Sequence, residues 1–357
     1  MHEQQFKYMV HVWCETFNHA PYIINAMDGF TMQDTTFPYV CTILDDNSTD
    51  GEQDVISNYL QEHFDLDNSS ITRQEETDDY RLTFARHKTN LNCYFAVLYL
   101  KYNHRVVKKK KDPYVSEWHN DSKYTASCEG DDYWTDSHKL QIQFEFMEKN
   151  PQYLFCCHRY KIFELKTKRF LKEYTYDYYV DNNDLIIDES LYLKVWVTQT
   201  LTVFLKTDFY DKTLNVILNK YSSSRDVYFF YTLLQIGKGI SLNREMGVYR
   251  WHEGGISIGQ KPYQRYKTGF NIYTEILEQN PHDKLLVPKV IYNGIRLLRY
   301  SKLNGEALSI FNNLWKLSNN IKEKMNLAAS LIVPSSIFVQ LAKLYSKRRL
   351  ERLTISS

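Results

Sequence analysis

No apolar run in this sequence approaches the roughly 18 residues that a membrane-spanning helix needs, so a transmembrane helix is not expected. Its six cysteines (Cys14, Cys41, Cys93, Cys128, Cys156 and Cys157) include no CxxC spacing, and most sit inside apolar, strand-like runs. That pattern excludes a disulfide framework and a cysteine zinc site, and it fits small buried hydrophobes in a reducing compartment. Net charge is nearly absent too: 44 Lys and Arg stand against 43 Asp and Glu, which argues against a general nucleic-acid binder. The first residues, Met1-His2-Glu3-Gln4-Gln5, lack the basic-then-apolar pattern of a secretion signal, so a cytoplasmic location is expected. Internal repeats are missing as well. Tyrosine, by contrast, is abundant at 29 residues, through compositional bias or because aromatic rings line a carbohydrate site. At 357 residues the chain can bury one large core and carry an appendage.

Alternation of strand-like and helix-like segments predicts an α/β fold. Tyr8 to Cys14 reads as a buried strand that ends on Glu15-Thr16-Phe17-Asn18, and Ala20 to Met32 then carries apolar residues at helical spacing. Tyr39 to Leu44 is a second strand ending on Asp45-Asp46. Asn47-Ser48-Thr49-Asp50-Gly51 supplies turn and cap chemistry for a helix over about 52–63. Strand, helix and strand in this order imply a parallel βαβ unit, whose ligands bind beyond the carboxyl ends of the strands. Leu82 to Tyr102 reads as a long helix. Residues 103–122, with the run Lys108-Lys109-Lys110-Lys111, read as a polar surface insertion whose lysines are solvated. Lys123 to Cys128 reads as a strand, Ser137 to Lys149 as a helix opened by Asp136, and Tyr153 to Phe163 as another strand. Residues 164–187 are too irregular to place. Thr200 to Lys206 is strand-like, Asp208 to Asn219 and Val227 to Ile236 are helical, and Ile240 to Trp251 closes the alternating part. A mostly helical tail follows, punctuated by Pro281, Pro288 and Pro334.

Between the strand at 123–128 and the next helix lies Glu129-Gly130-Asp131-Asp132-Tyr133-Trp134. Adjacent residues at a strand end point to opposite sides, so one carboxylate can bind a hard cation while its neighbour reaches a ribose hydroxyl. Mg²⁺ and Mn²⁺ are commonly held by one or two carboxylates together with substrate phosphates. Glu15 to Asn18, Asp45-Asp46 and Asp131-Asp132 all fall at predicted strand ends, and their convergence on one sheet edge points to a nucleotide-diphosphate site.

Taken together, Glu15-Thr16-Phe17-Asn18, Leu44-Asp45-Asp46-Asn47-Ser48-Thr49-Asp50-Gly51 and Glu129 to Trp134 resemble the blocks of GT-A fold glycosyltransferases of the family 2 type. The continuation Thr135-Asp136-Ser137-His138-Lys139-Leu140-Gln141, with Gln143, Phe146 and Asn150-Pro151, resembles a bacterial subgroup of that family. The resemblance covers about residues 8–260. It implies a Rossmann-like, mostly parallel sheet flanked by helices, with a nucleotide-sugar half over about 1–136, an acceptor half over 137–260 and a helical extension over 261–357. It also implies that Phe17 stacks near the base, Glu15 contacts the base or ribose, and Asp46 accepts the uracil N3–H of a UDP sugar. Asp131 touches the ribose and Asp132 binds the divalent metal, Mn²⁺ or Mg²⁺. Arg86, read as lying on a helix, is placed near the base or phosphate. Glu15 stands where the family often has a small hydroxyl residue or proline, and Phe17 replaces the usual tyrosine.

Inverting transfer needs a base for the acceptor hydroxyl. In the family this is an Asp at a helix start, and Arg225-Asp226 after the Ser222–Ser224 turn resembles that position, which implies Asp226 as the base. Tyr249-Arg250-Trp251-His252 resembles the family's Tyr-Arg-x-His segment. It implies that His252 completes the metal shell or holds the diphosphate with Arg250 nearby, while Gly254 and Gly255 form a flap. Trp134 and Trp251 are candidates for the acceptor sugar or for the core. Lys343, Lys347, Arg348, Arg349 and Arg352 beside Leu341, Leu344 and Tyr345 form a basic amphipathic segment, either a packed helix or a peripheral contact with the inner face of the plasma membrane. The expected function is metal-dependent inverting transfer of a sugar to a saccharide or lipid-linked acceptor in surface polysaccharide synthesis, with no nucleic-acid partner. A non-catalytic carbohydrate-binding descendant is an alternative. So is a nucleotidyltransferase, although the first strand is not followed by a glycine-rich, basic phosphate loop.

Overall fold

The computed structural model describes residues 5–172, 175–223, 225–252, 261–301, 305–318 and 320–332. The proposed glycine flap and the basic C-terminal segment lie outside the described residues. In chain order the first half runs β1 (Tyr8–Thr16), α1 (Ile23–Thr31), β2 (Tyr39–Asp45), α2 (Glu52–His63), β3 (Phe64–Asp65), β4 (Arg73–Glu76), β5 (Tyr80–His87), β6 (Cys93–Leu100), α3 (His104–Val107), α4 (Asp112–Asn120), β7 (Ser122–Ser127) and β8 (Tyr133–Trp134). The second half runs α5 (Lys139–Lys149), β9 (Phe155–Glu164), β10 (Arg169–Leu171), β11 (Leu185–Ile187), α6 (Glu189–Lys194), β12 (Phe204–Lys206), α7 (Thr207–Lys220), α8 (Asp226–Ile236) and β13 (Gly239–Trp251). Among the described residues four helices follow: α9 (Pro262–Gln279), α10 (Val287–Tyr300), α11 (Gly305–Leu317) and α12 (Ile321–Ile332).

The strands form one sheet in the order β11-β13-β9-β12-β7-β1-β2-β6-β5-β3, with helices against its faces, so the expected α/β class is the one observed. Its centre, β7-β1-β2-β6, is parallel, whereas β12, inserted between β7 and β9, is antiparallel to both. β2 is buried along its whole length, as a central parallel strand covered on both faces must be. Alternate residues feed two cores: Tyr39, Cys41 and Ile43 pack with Ile23, Ala26, Met27 and Phe30 of α1, while Val40 and Leu44 face Val115 and Trp118 of α4. No helix among the described residues is long and apolar enough to cross a membrane.

Two expectations are corrected here. The span 82–102 is a hairpin of β5 and β6, not a helix. β6 (Cys-Tyr-Phe-Ala-Val-Leu-Tyr-Leu) is apolar on both faces, and a short continuous run of this kind does not distinguish a buried strand from a buried helix. Nor is 103–122 a polar insertion: Asn103 caps α3 by accepting the Val106 amide at 3.0 Å, and α4 buries Val115, Trp118 and His119.

Lys139, at the start of α5, is fully buried. Its Nζ donates to Gln143 Oε1 at 2.7 Å and lies 3.9 Å from the centre of the Trp134 ring. Burial lowers its pKa to about 7. Between that value and the ordinary lysine value near 10.4 the unfolded chain binds the extra proton, so stability rises with pH across this window. Lys139→Met is expected to remove that slope: the difference in melting temperature between variant and parent is largest near pH 7 and shrinks toward pH 10. An unchanged difference across the window contradicts a buried, neutral lysine.

Candidate active site

Three strand ends meet at one edge of the sheet because the pairing register holds them level. Thr16 pairs with Asp45, and the chain after β7 continues alongside β1, with the Cys128 amide donating to Trp13 O at 3.0 Å and the Gly130 amide to Glu15 O at 3.0 Å. Only glycine fits at position 130: a Cβ there would lie 2.2 Å from Thr16 Oγ1. The turns after β1 and β2 each reverse through an asparagine in the left-handed region, Asn18 (φ 57°) and Asn47 (φ 65°). Asn18 then ties the two loops together, its amide donating to Ser48 Oγ at 2.9 Å and its Oδ1 accepting the Thr49 amide at 2.8 Å. Beneath them the buried Glu52 accepts the His19 amide at 2.9 Å, the Ser48 hydroxyl at 2.8 Å and the Thr16 hydroxyl. The loops border a cavity of about 850 Å³ lined by Phe17, Asn18, His19, Tyr22, Asp50 and His252, among others. Phe17 keeps 42% of its surface exposed there, so its ring is open to a flat partner.

The two aspartates of the acidic turn are held in different surroundings. Asp132, the expected metal ligand, is 2% exposed, and its Oδ1 accepts the Arg250 amide at 2.8 Å. Burial, reinforced by the charges of Asp131 and Glu129, raises its pKa well above the carboxylate range. His252, the other expected ligand, meets Asp131 instead, with Nε2 2.9 Å from Asp131 Oδ2. His19, unnoticed in the sequence, has its Nε2 3.6 Å from the same oxygen. Burial opposes ionisation of Asp131, but the His252 hydrogen bond and the charges of His19 and His252 outweigh it and hold its pKa below the ordinary value. Among the described residues no group of three or more His, Cys, Asp or Glu could hold a metal ion. Asp131 and His252 offer one oxygen and one nitrogen donor, both of which divalent cations accept.

Arg250 positions this turn. Its guanidinium donates to the Asp131 carbonyl at 2.7 Å and to Asn25, and it stacks on Tyr133 with 4.3 Å to the ring centre. Glu129 accepts the Thr200 hydroxyl at 2.8 Å, and burial, aided by the Asp131 charge, raises its pKa to about 7. Trp134 belongs to the core: it is 2% exposed and donates to Leu201 O at 2.8 Å. Arg86 is displaced entirely. It lies on β5 opposite Tyr94, level with the start of β2, about 16 Å along the strands from the Asp45 end.

The lysine run contributes one residue to the rim. Lys111 Nζ bridges Glu15 Oε2 at 2.8 Å and Asp46 Oδ2 at 3.1 Å, with its side chain only 14% exposed. Asp46 is therefore engaged on both oxygens, since Oδ1 accepts the His104 amide at 2.7 Å. Burial opposes the Lys111 charge, and Glu15 and Asp46 more than restore it, raising its pKa. Breaking a fully buried pair costs about 3–5 kcal/mol, but Glu15 is largely screened by solvent, so Lys111→Met is expected to cost about 1–3 kcal/mol. Urea denaturation measures this, and an unchanged midpoint contradicts the bridge.

Asp226 opens α8, with Oδ1 2.9 Å from the Val227 amide. It is exposed by area, yet the surrounding protein desolvates its carboxyl and raises the pKa, with the Val227 amide and Arg225 opposing. Tyr249 feels the charges of Asp132, Asp131, Glu129 and Asp226.

No family model matches the chain. Over 147 residues it is 31% identical to uncharacterized proteins of Mycobacterium tuberculosis and Mycobacterium bovis. That stretch is 41% of this chain and spans about a third (34%) of those relatives' length. Among solved structures, S. aureus TarS 1–349 in complex with UDP-GlcNAc aligns with TM-score 0.49 and 15% identity, covering 90% of this chain and 79% of that one. The mannosyltransferase PcManGT from Pyrobaculum calidifontis, in complex with GDP-Man and Mn²⁺, aligns with TM-score 0.46 and 11% identity, covering 92% and 87%.

Proposed function

We propose that this chain is a GT-A type glycosyltransferase that takes a nucleoside-diphosphate sugar into the cleft at the carboxyl ends of β1, β2 and β7. The observation that supports the proposal is the convergence at these strand ends of Phe17, Asp45-Asp46 and Asp131, which contacts His19 and His252, beside an open cavity lined by Phe17, His19, Asp50 and His252. Phe17 offers its exposed face to the base. Glu15, Lys111 and Asp46 form a charged bridge at the same strand ends. Asp131 and His252 would hold a divalent cation, Mn²⁺ or Mg²⁺ in the expected class, which would supply charge compensation for the departing diphosphate.

Asp226 acts across the cleft. Its carboxylate takes the proton of the acceptor hydroxyl while that oxygen bonds to the anomeric carbon and the bond from this carbon to the diphosphate oxygen breaks. Attack opposite the leaving group inverts the anomeric centre, and no second carboxylate nucleophile is required. Tyr249 and Tyr273, both near enough to Asp226 to feel its charge, offer aromatic surface to a saccharide or lipid-linked saccharide acceptor. The test is a panel of nucleotide sugars incubated with protein and Mn²⁺, with release of nucleoside diphosphate as the readout. One donor is expected to be hydrolysed slowly and faster with the correct acceptor. Absence of binding and of hydrolysis across UDP, GDP, dTDP and CMP donors contradicts the proposal.

A further inference from the structure

We propose that Glu275 of α9 is a positioning residue for Asp226, so that a helix beyond the alternating α/β part of the chain fixes the base of the transfer. The inference rests on the reading of Asp226 as that base.

Asp226 opens α8, and its own segment does little to hold it there. Arg225, the residue at the cap position, makes no side-chain hydrogen bond to the helix among the described residues. A serine just before a helix ordinarily caps it, but Ser222 gives its hydroxyl to Glu275 Oε2 at 2.8 Å. Glu275 Oε1 accepts the Ser222 amide at 2.6 Å, and Oε2 also accepts the Tyr228 hydroxyl. Ser222 precedes Asp226 and Tyr228 follows it, so one carboxylate grips the chain on both sides of the base. Burial opposes ionisation of Glu275, and the hydroxyls of Tyr228 and Ser222 with the Ser222 amide outweigh it, holding its pKa below the ordinary value. Hydrogen bonds to an ionised acceptor are roughly twice as strong as neutral ones.

The helix that carries Glu275 is itself firmly seated. Ile272, Ile276 and Leu286 share one core with Ile217, Phe230 and Leu233 of α7 and α8. Asn280, at the end of α9, accepts from Lys220 Nζ at 2.8 Å and donates to the Tyr221 hydroxyl at 3.2 Å. The Tyr221 ring in turn stacks on that of Tyr228, with 4.5 Å between centres, and Asp283 accepts the Tyr231 hydroxyl at 2.7 Å. Around Asp226 itself stand Arg225 and three tyrosines that feel its charge: Tyr192 of α6, Tyr249 of β13 and Tyr273 of α9. Placement of a base matters because an error of about 1 Å can cost roughly a hundredfold in rate.

Carboxyl NMR of the full chain carrying isotope-labelled aspartate, together with amide hydrogen exchange, tests this without any ligand. In Glu275→Ala the Asp226 carboxyl is expected to titrate closer to the ordinary value than in the parent, because a loosened turn admits water. The Tyr228 and Phe229 amides, which donate to Arg225 O, should exchange faster. Glu275→Gln is the rescue: its carbonyl can take the Ser222 amide while its NH₂ donates to the two hydroxyl oxygens, so both readouts should stay with the parent. Tyr228→Phe keeps its ring on Tyr221, removes one bond, and should move both readouts the same way by less. In acceptor-stimulated turnover of a nucleotide sugar, Glu275→Ala should lower kcat about 10–100-fold with donor affinity unchanged, and should add nothing in the Asp226→Asn background. An Asp226 titration that is the same in parent, Glu275→Ala and Tyr228→Phe overturns the proposal, and so does a glutamine variant that behaves like alanine. If Glu275→Ala does not fold, an unmoved titration in Tyr228→Phe alone overturns it. The expected NMR shifts in a protein that turns over no nucleotide sugar keep the anchoring and defeat the glycosyltransferase reading. Turnover slowed by Asp226→Asn but untouched by Glu275→Ala does the reverse.

Discussion

Asp131→Asn is expected to abolish metal-dependent turnover of a nucleotide sugar, lowering kcat/KM by about a thousandfold. Charge compensation by a bound ion is worth several kcal/mol to a departing diphosphate, and each 1.36 kcal/mol is a factor of ten. The same substitution at Asp132 has a different expected outcome. Asparagine keeps an oxygen for the Arg250 amide, and the carboxyl it replaces is already pushed toward its neutral form by burial. Asp132→Asn should therefore leave Mn²⁺ affinity within a few-fold of the parent. Asp132→Ala strands a buried N–H and should cost about 1–3 kcal/mol of stability, visible in the denaturation midpoint. Loss of metal dependence in Asp132→Asn, with Asp131→Asn unaffected, would restore the assignment read from the sequence.

The second large effect is expected at Asp226. Asp226→Asn should bind donor with unchanged affinity in calorimetry yet transfer sugar about 10²–10⁴ times more slowly, the usual contribution of a positioned base. The pH dependence carries a sign. Desolvation raises the carboxyl, so the rate should climb with pH through a pKa above the ordinary Asp value of about 3.9, and the asparagine variant should lack that limb. Donor hydrolysis in the absence of acceptor does not use this proton transfer to a sugar hydroxyl and should fall less. Equal loss of donor affinity and transfer would mean that Asp226 shapes the cleft and does not act as the base.

The parts of the fold that could be read from sequence are those where local chemistry and burial agree. α2 was legible because Asp50 and Gly51 announce it, and Gly51 does hold a left-handed φ of 91° at its start. β2 was legible because a run of apolar and β-branched residues ends abruptly on two aspartates. β6 was not, since residues buried on both faces lose the alternation that marks a strand.

The candidate site shows the same division. Alternation at a strand end says that Asp131 and Asp132 point apart, but not which one faces the cavity. That choice is made by Arg250, 118 residues on, whose backbone claims Asp132 and whose guanidinium holds the Asp131 carbonyl. Lys111 was hidden inside a lysine run that reads as solvated, and only the packing of α4 brings it to Glu15 and Asp46. His19 could have been suspected from its place one residue after the first loop motif, but its partner Asp131 is supplied by the turn after β7, distant in sequence. Arg86 was misplaced as a direct consequence of the helix assigned to 82–102.

The central claim, that the cleft at the ends of β1, β2 and β7 receives a nucleoside-diphosphate sugar, is tested most directly by a crystal structure of the full chain with Mn²⁺ and the nucleoside diphosphate that binds most tightly. The account predicts the base against Phe17, the diphosphate beside Asp131 and His252, and Asp226 facing the vacant sugar position. A nucleotide bound elsewhere on the chain, or a diphosphate that contacts neither Asp131 nor His252, would contradict it.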